Sequence, residues 1–173
     1  MLMWTPLLAS HAAAALVALG LGAWQLFGSA KGTPAHRLIG RVWVGLMLFV
    51  AISSFWITEI RPGSFSALHV LSIVTIVTVT LGLVAAVRGQ VLAHRGNMTG
   101  SWLGLMGAFV FAVAIPSRHV PQFVLTEPLG AATAAAAIVL TTVAVVIAGH
   151  LLAPGLPRGA DPDAAEAPTG RAG

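Results

Sequence analysis

The chain has 173 residues, 57% of them apolar and 8% charged, with a mean hydropathy of +0.92. Soluble domains carry about a quarter charged residues, so this chain cannot cover a water-exposed surface, and a water-soluble globular enzyme is excluded. Cysteine is absent, which removes disulfides, thiolate clusters and covalently attached c-type haem. Six histidines outnumber five acidic residues, so any metal or cofactor must lean on imidazole. The formal charge of +4 comes from basic residues standing singly between apolar runs. That pattern marks the sidedness of membrane loops and not a nucleic-acid surface.

A bilayer core about 30 Å thick takes roughly 20 apolar residues per helix. Five segments answer to this, approximately residues 6–27, 35–57, 66–87, 100–115 and 129–152. The fourth is the shortest, with Trp102 as an interfacial anchor at its start. Thr5-Pro6 and Thr33-Pro34 each offer an N-cap followed by proline at the first helical position, and Ser64 offers a cap for the third helix. Breaks are expected at Gly28-Ser29, Arg61-Pro62-Gly63, Arg95-Gly96-Asn97, Pro116 and Pro121. β-Branched runs such as Ile73–Thr80 favour strand in water, but in lipid the backbone must satisfy itself and helix wins. The N-terminal segment lacks a positive n-region and its apolar run is long, so it reads as a retained helix and not a signal peptide.

The expected fold is an all-α integral membrane protein over residues 1–152, with a disordered tail over 153–173 that holds three of the five acids. Connections on one side carry Lys31, Arg37, Arg41, Arg88 and Arg95. Those on the other carry Arg61 and Arg118 beside Glu59 and Glu127. The positive-inside rule puts the first set in the cytoplasm, with the N-terminus outside and the C-terminus inside, as in a bacterial inner membrane.

A repeat organises the helices. Ala35-His36-Arg37, then a glycine, Trp43 and Gly45-Leu46-Met47, recur as Ala93-His94-Arg95, Gly100, Trp102 and Gly104-Leu105-Met106, with one inserted residue. The two histidines are offset by 58 residues, and the same offset carries His11 onto His69. Helices 1–2 and 3–4 thus read as a tandem duplication forming a four-helix bundle, to which helix 5 is added. Two hairpins of equal orientation are related by a pseudo-twofold along the membrane normal. His11 and His69 become mates on the outer side, and His36 and His94 mates on the cytoplasmic side. Gly100, Gly104, Ala108 and Ala112, like Ala14, Ala18 and Gly22, form small-residue stripes suited to close helix packing. Ser72, Thr75 and Thr78 form a hydroxyl stripe that reads first as interhelical hydrogen bonding and second as the lining of a polar path through a small transporter.

Ionisable residues at membrane depth point to function. Paired imidazoles from facing helices are the ligand set of a low-spin b-type haem, for which Arg61 and Arg118 are placed to meet propionates. The alternative is a copper or zinc site from His11, His69 and His119, with Glu59 supplying an oxygen. The cytoplasmic pair His36 and His94, with Arg37 and Arg95, suits a second haem, or an anionic headgroup, nucleotide or quinone head. Its simpler reading is phospholipid anchoring. His150 reads as an interfacial residue, Trp43 and Trp102 as packing or interfacial residues. No phosphate-cradling loop, HExxH or membrane-centre charge is present, so hydrolases and pumps rank low.

The block Lys31-Gly32-Thr33-Pro34-Ala35-His36-Arg37-Leu38-Ile39-Gly40-Arg41-Val42-Trp43 is followed by Ser53-Ser54-Phe55-Trp56-Ile57. Then come His69-Val70-Leu71-Ser72, Ala93-His94-Arg95 and Met98. The set resembles a family of small bacterial predicted membrane proteins catalogued as a domain of unknown function, number twenty-three-oh-six. The likeness spans roughly Ser10 to Arg118. It implies a compact multi-helix membrane domain with histidines at His11, His36, His69 and His94, and brings no activity. In architecture the chain also resembles transmembrane b-type cytochromes. The leading expectation is a cofactor-binding, redox-associated membrane subunit, not an enzyme on its own, that uses His11 and His69. The alternative is an accessory or scaffold subunit that binds no cofactor. In either case the partners are the bilayer and other membrane subunits or further copies of the chain.

Overall fold

The computed structural model describes residues 4–57, 67–116 and 118–153. Among them are six α-helices and no strand: α1 (Pro6–Ala23), α2 (Pro34–Ser53), α3 (Ala67–Val87), α4 (Val91–Ala114), α5 (His119–Thr126) and α6 (Pro128–Leu152). All but α5 belong to five stretches long and apolar enough to cross a membrane. α1 continues into a π-helical turn at Trp24–Gly28, and α2 into a 3₁₀ turn at Ser54–Trp56. The expected cap at Ser64, the break at Arg61-Pro62-Gly63, Glu59 and the tail beyond Ala153 lie outside the described residues.

Local chemistry explains the helix starts. Thr5 Oγ1 accepts from Leu8 N at 3.2 Å and Thr33 Oγ1 from His36 N at 3.1 Å, with proline at the next position in each case. Each threonine satisfies an orphan donor that the first turn cannot. The turn to α2 uses Gly32 at φ 75°, and Lys31 Nζ covers the open carbonyls of Gln25, Leu26 and Ser29.

Three expectations need correction. The fourth helix begins at Val91, nine residues before residue 100, so Ala93-His94-Arg95 is helical and Arg95-Gly96-Asn97 does not break the chain. The reversal comes earlier, where Gly89 takes φ 69° and Gln90 N reaches back to Ala85 O at 2.8 Å. Once the turn is made there, Gly96 costs only a modest helix propensity, and Asn97 Nδ2 donates within its own helix to Ala93 O. Trp102 therefore lies well inside α4 and not at an interfacial end. Pro121 does not end a helix either: it sits in the first turn of α5, where no intrahelical N–H is required. The break before Pro116 is real, with Ile115 extended as a residue preceding proline should be.

α1 packs on α2 and α4, α2 on α3, and α3 on α4, which closes a four-helix ring. α6 lies outside against α1 and α2. The ring order sets α1 diagonally across from α3, and α2 across from α4. The core holds Ala18, Leu21, Ile39, Trp43, Met47 and Val79. At mid-height the two repeat-related tryptophans meet α1: Trp43 Nε1 donates to Ala18 O at 2.8 Å and Trp102 Nε1 to Leu19 O at 3.0 Å. Gly22 makes room for both rings, since a Cβ there would stand 2.7 Å from Trp43 Nε1 and 2.9 Å from Trp102 Nε1. The small-residue stripe of α1 thus meets indoles. On α4, Gly104 approaches Leu71, whereas Gly100 has open space where a Cβ would be. α6 docks through Gly149 against Ile39, and Thr142 stands against Gly20. Its other faces are apolar and exposed, as a lipid-facing helix requires.

Candidate functional site

At the end of the bundle where α1 begins, His11 from the second turn of α1 and His69 from the first turn of α3 line one cavity of about 230 Å³. The wall is otherwise mainly alanine, leucine and valine, with Trp4, Phe109, Ser54, Arg118 and His119 as its other aromatic and polar members. A second cavity of about 90 Å³ shares His11 and Ser54 with the first. His69 is buried, with 5% of its surface exposed.

His11 Nδ1 lies 2.8 Å from Ser53 Oγ, and Ser53 Oγ in turn donates to Val50 O at 3.2 Å. The serine has one proton and spends it on the carbonyl, so it accepts from His11 Nδ1–H. In the neutral ring this leaves Nε2 as the lone-pair nitrogen, a tautomer inferred from the hydrogen-bond network. An imidazole tied at one nitrogen and open at the other is the arrangement of metal-ligating histidines. Phe55 flanks His69, ring centroids 5.7 Å apart. Ser54 Oγ and Ser72 Oγ are 2.6 Å apart, which joins the end of α2 to α3. Trp4 packs edge-on against His119 at 5.6 Å and Phe123 at 5.5 Å, so α5 is pinned over the cavity. The Arg118 guanidinium lies over the Phe111 ring at 5.3 Å.

His11, His69 and His119 thus share a wall, but no three histidines or acids form a metal-coordinating group among the described residues. Glu59, the fourth member of the copper or zinc set, lies outside the described residues, as does Arg61.

The opposite end of the bundle carries Lys31, Arg37, Arg41, Arg88 and Arg95 together with His36 and His94. Here His36 Nδ1 is 3.0 Å from Ser29 Oγ, which donates to Gln25 O at 3.1 Å, and His94 Nδ1 is 2.9 Å from Gly82 O. Arg37 and Arg95 are exposed beside them. His150 bonds its own helix through Val146 O at 2.8 Å and touches Trp24, ring centroids 6.3 Å apart. On the hydroxyl stripe, Ser72 reaches Ser54, and Thr78 Oγ1 reaches Ser101 Oγ at 2.8 Å. These are interhelical bonds.

Ser53, Ser29, Gln25 and the Gly82 carbonyl escaped sequence reading because their roles depend on which helix faces meet. The only hint was the Ser53-Ser54 pair at the end of an apolar run. α5 also went unseen: eight residues bounded by prolines read as a connection.

Residues 8–152 match the family described as "Predicted membrane protein (DUF2306)". The chain belongs to this family. The match covers α1 through α6, so the whole helical bundle is the family's domain. No curated protein and no solved structure matches the chain. As a family member the chain is a multi-pass membrane protein in contact with the lipid bilayer.

Proposed function

We propose that the chain is a cofactor-binding, redox-associated membrane subunit in which His11 and His69 hold a b-type haem. The supporting observation is that two repeat-related histidines on diagonally opposed helices line one cavity in a mainly apolar wall. The donor set favours haem over a protein-caged ion. Zinc sites take three or four protein ligands, whereas porphyrin iron takes two axial ones. When bound, the haem would supply one-electron redox chemistry.

The chain's own residues would position it. Ser53 holds His11 in the Nε2-ligating tautomer, Phe55 fixes the His69 ring, and Arg118 offers a cation for propionates. α5 with Trp4 shields the cavity. Room is the demanding feature: the cavities, about 230 and 90 Å³, each fall below the ~300–1,000 Å³ of ligand pockets. A tetrapyrrole is larger still, so holding one requires the helices around the cavity to part. By the positive-inside rule this site faces the outside of a bacterial inner membrane and the basic end faces the cytoplasm. The exposed apolar faces of α6 suit lipid, partner subunits or a second copy.

The experiment is a reduced-minus-oxidised absorption spectrum of protein purified gently from haem-replete cells. An α-band and a Soret shift that disappear in His11→Leu are expected. Absence of haem from the wild type overturns the proposal and leaves the accessory-subunit alternative.

A further inference from the structure

We infer that the bundle carries a proton relay along α3, from the outer cavity towards His94 at the basic end, with Met98 as its barrier. The side chains that make the relay, Ser72, Thr75, Thr78, Ser101 and Met98, are not those that would hold the haem, so the two readings fail separately.

The buried polar side chains carry the argument. Among the described residues they are Ser53, His69, Ser72, Thr75 and Ser101. His69, Ser72, Thr75 and Thr78 follow one another at three-residue steps on α3, so each is the helical neighbour of the next. The row meets Ser54 at the end of α2 and Ser101 of α4. The second cavity, about 90 Å³, runs beside its outer part, with His11, Ser54, Ser72 and Thr75 as polar lining. It has room for about three waters at ~30 Å³ each, and its lining supplies the polar partners that a buried water needs.

Each hydroxyl pair can point either way. Ser54 Oγ and Ser72 Oγ are 2.6 Å apart, with Ala51 O 2.7 Å from the first and Leu68 O 2.9 Å from the second. Two protons thus serve three contacts. Either Ser54 donates to Ser72 and Ser72 to Leu68 O, or Ser72 donates to Ser54 and Ser54 to Ala51 O. Thr78 Oγ1 and Ser101 Oγ, 2.8 Å apart, have the same choice between Val74 O at 2.8 Å and Asn97 O at 2.8 Å. Both directions make the same number of bonds. A relay requires this: an oxygen that receives a proton on one side releases another on the other side, so atoms and charge balance, and the row then turns back to accept the next. From Thr75 to Thr78 the side chains lie about 5–6 Å apart, a step that one water bridges.

The row stops short of the basic end. Met98 lies three residues before Ser101 and four after His94 on α4, and its side chain fills the notch of Gly82, where a Cβ would stand 2.5 Å from Met98 Cε. A thioether has no proton to give, but its rotatable bonds let it swing aside. Just beyond, His94 Nδ1 is 2.9 Å from Gly82 O, a carbonyl that only accepts, so the neutral ring keeps a lone pair on Nε2 to receive the proton. From His69 to Gly82 the way is roughly 13 residues, about 20 Å of the ~30 Å core. Hydroxyls that only tie helices together need neither a cavity along the row nor titratable groups at its ends, and this row has both.

The test is proton uptake by sealed vesicles that hold the full-length chain and a trapped pH dye, driven by a potassium diffusion potential. Met98→Ala is expected to take up protons severalfold faster than the wild type with sodium leak unchanged, and adding Thr78→Val is expected to return the rate to the wild-type level. Equal rates in Met98→Ala and the wild type overturn the inference. So does a gain that survives Thr78→Val, or one matched by sodium leak, since either means a water-filled leak and not a relay. If Met98→Ala fails to assemble, Met98→Gln keeps the length of the side chain and adds a donor and an acceptor. It is expected to raise the rate as well, and an unchanged rate overturns the inference.

Discussion

Replacing Gly22 by alanine presses on the centre of the bundle. The added Cβ would meet Trp43 Nε1 at 2.7 Å and Trp102 Nε1 at 2.9 Å, closer than such contacts tolerate. Both indoles are anchored by bonds to consecutive carbonyls of α1, so neither yields without lengthening one. Overpacking costs about 1–3 kcal/mol, each weakened bond about 0.5–1.5, and the helix-propensity gain returns about 1, for a net loss of about 1–5 kcal/mol. Gly100→Ala is the matched control. It makes the same gain in open space, so it is expected to be neutral or stabilising by up to about 1 kcal/mol. Thermal unfolding in mild detergent, followed by tryptophan fluorescence and helix signal, separates the two. Equal melting of Gly22→Ala and Gly100→Ala would refute the reasoning, because it would mean that no indole occupies the space above Gly22.

Other expectations concern the same elements. Trp102→Phe in the Gly22→Ala background removes one of the clashing atoms, so a double-mutant cycle on melting should show a favourable coupling of about 0.5 kcal/mol or more. Additive effects would separate Trp102 from Gly22. Ser53→Ala leaves His11 Nδ1 without its partner and should weaken haem binding about 10–100-fold in a haem titration, with the fold destabilised by only about 1 kcal/mol. Unchanged affinity would remove Ser53 from the site. Because the chain has no native cysteine, single-cysteine labelling reads topology cleanly. Ala30→Cys should react with an impermeant reagent only in opened cells and Thr126→Cys in intact ones, and the reverse result would invert the bundle.

The helices were legible in the sequence because lipid leaves one solution for an apolar run: each backbone group must find its partner within the segment. Thr5-Pro6 and Thr33-Pro34 marked two starts because side-chain caps act locally. The start of α4 was misplaced because Gly96-Asn97 has turn chemistry, while the decisive signal, a glycine able to take positive φ, lay at Gly89. The repeat identified which histidines correspond, but not whether they converge. Convergence depends on the ring order α1–α2–α3–α4, which sets corresponding helices on diagonals, and on the faces those helices present. The hydrogen bonds that fix the imidazole tautomers were equally hidden, since Ser53, Ser29 and Gly82 each act across a helix boundary or a turn.

The central claim is that His11 and His69 ligate the same iron, and chemical rescue of His69→Gly tests it most directly. The variant is expected to lose the low-spin b-type spectrum of the outer site and to regain it when free imidazole fills the place of the missing ring. A His69→Gly spectrum identical to the wild type, or one that imidazole leaves unchanged, would contradict the account.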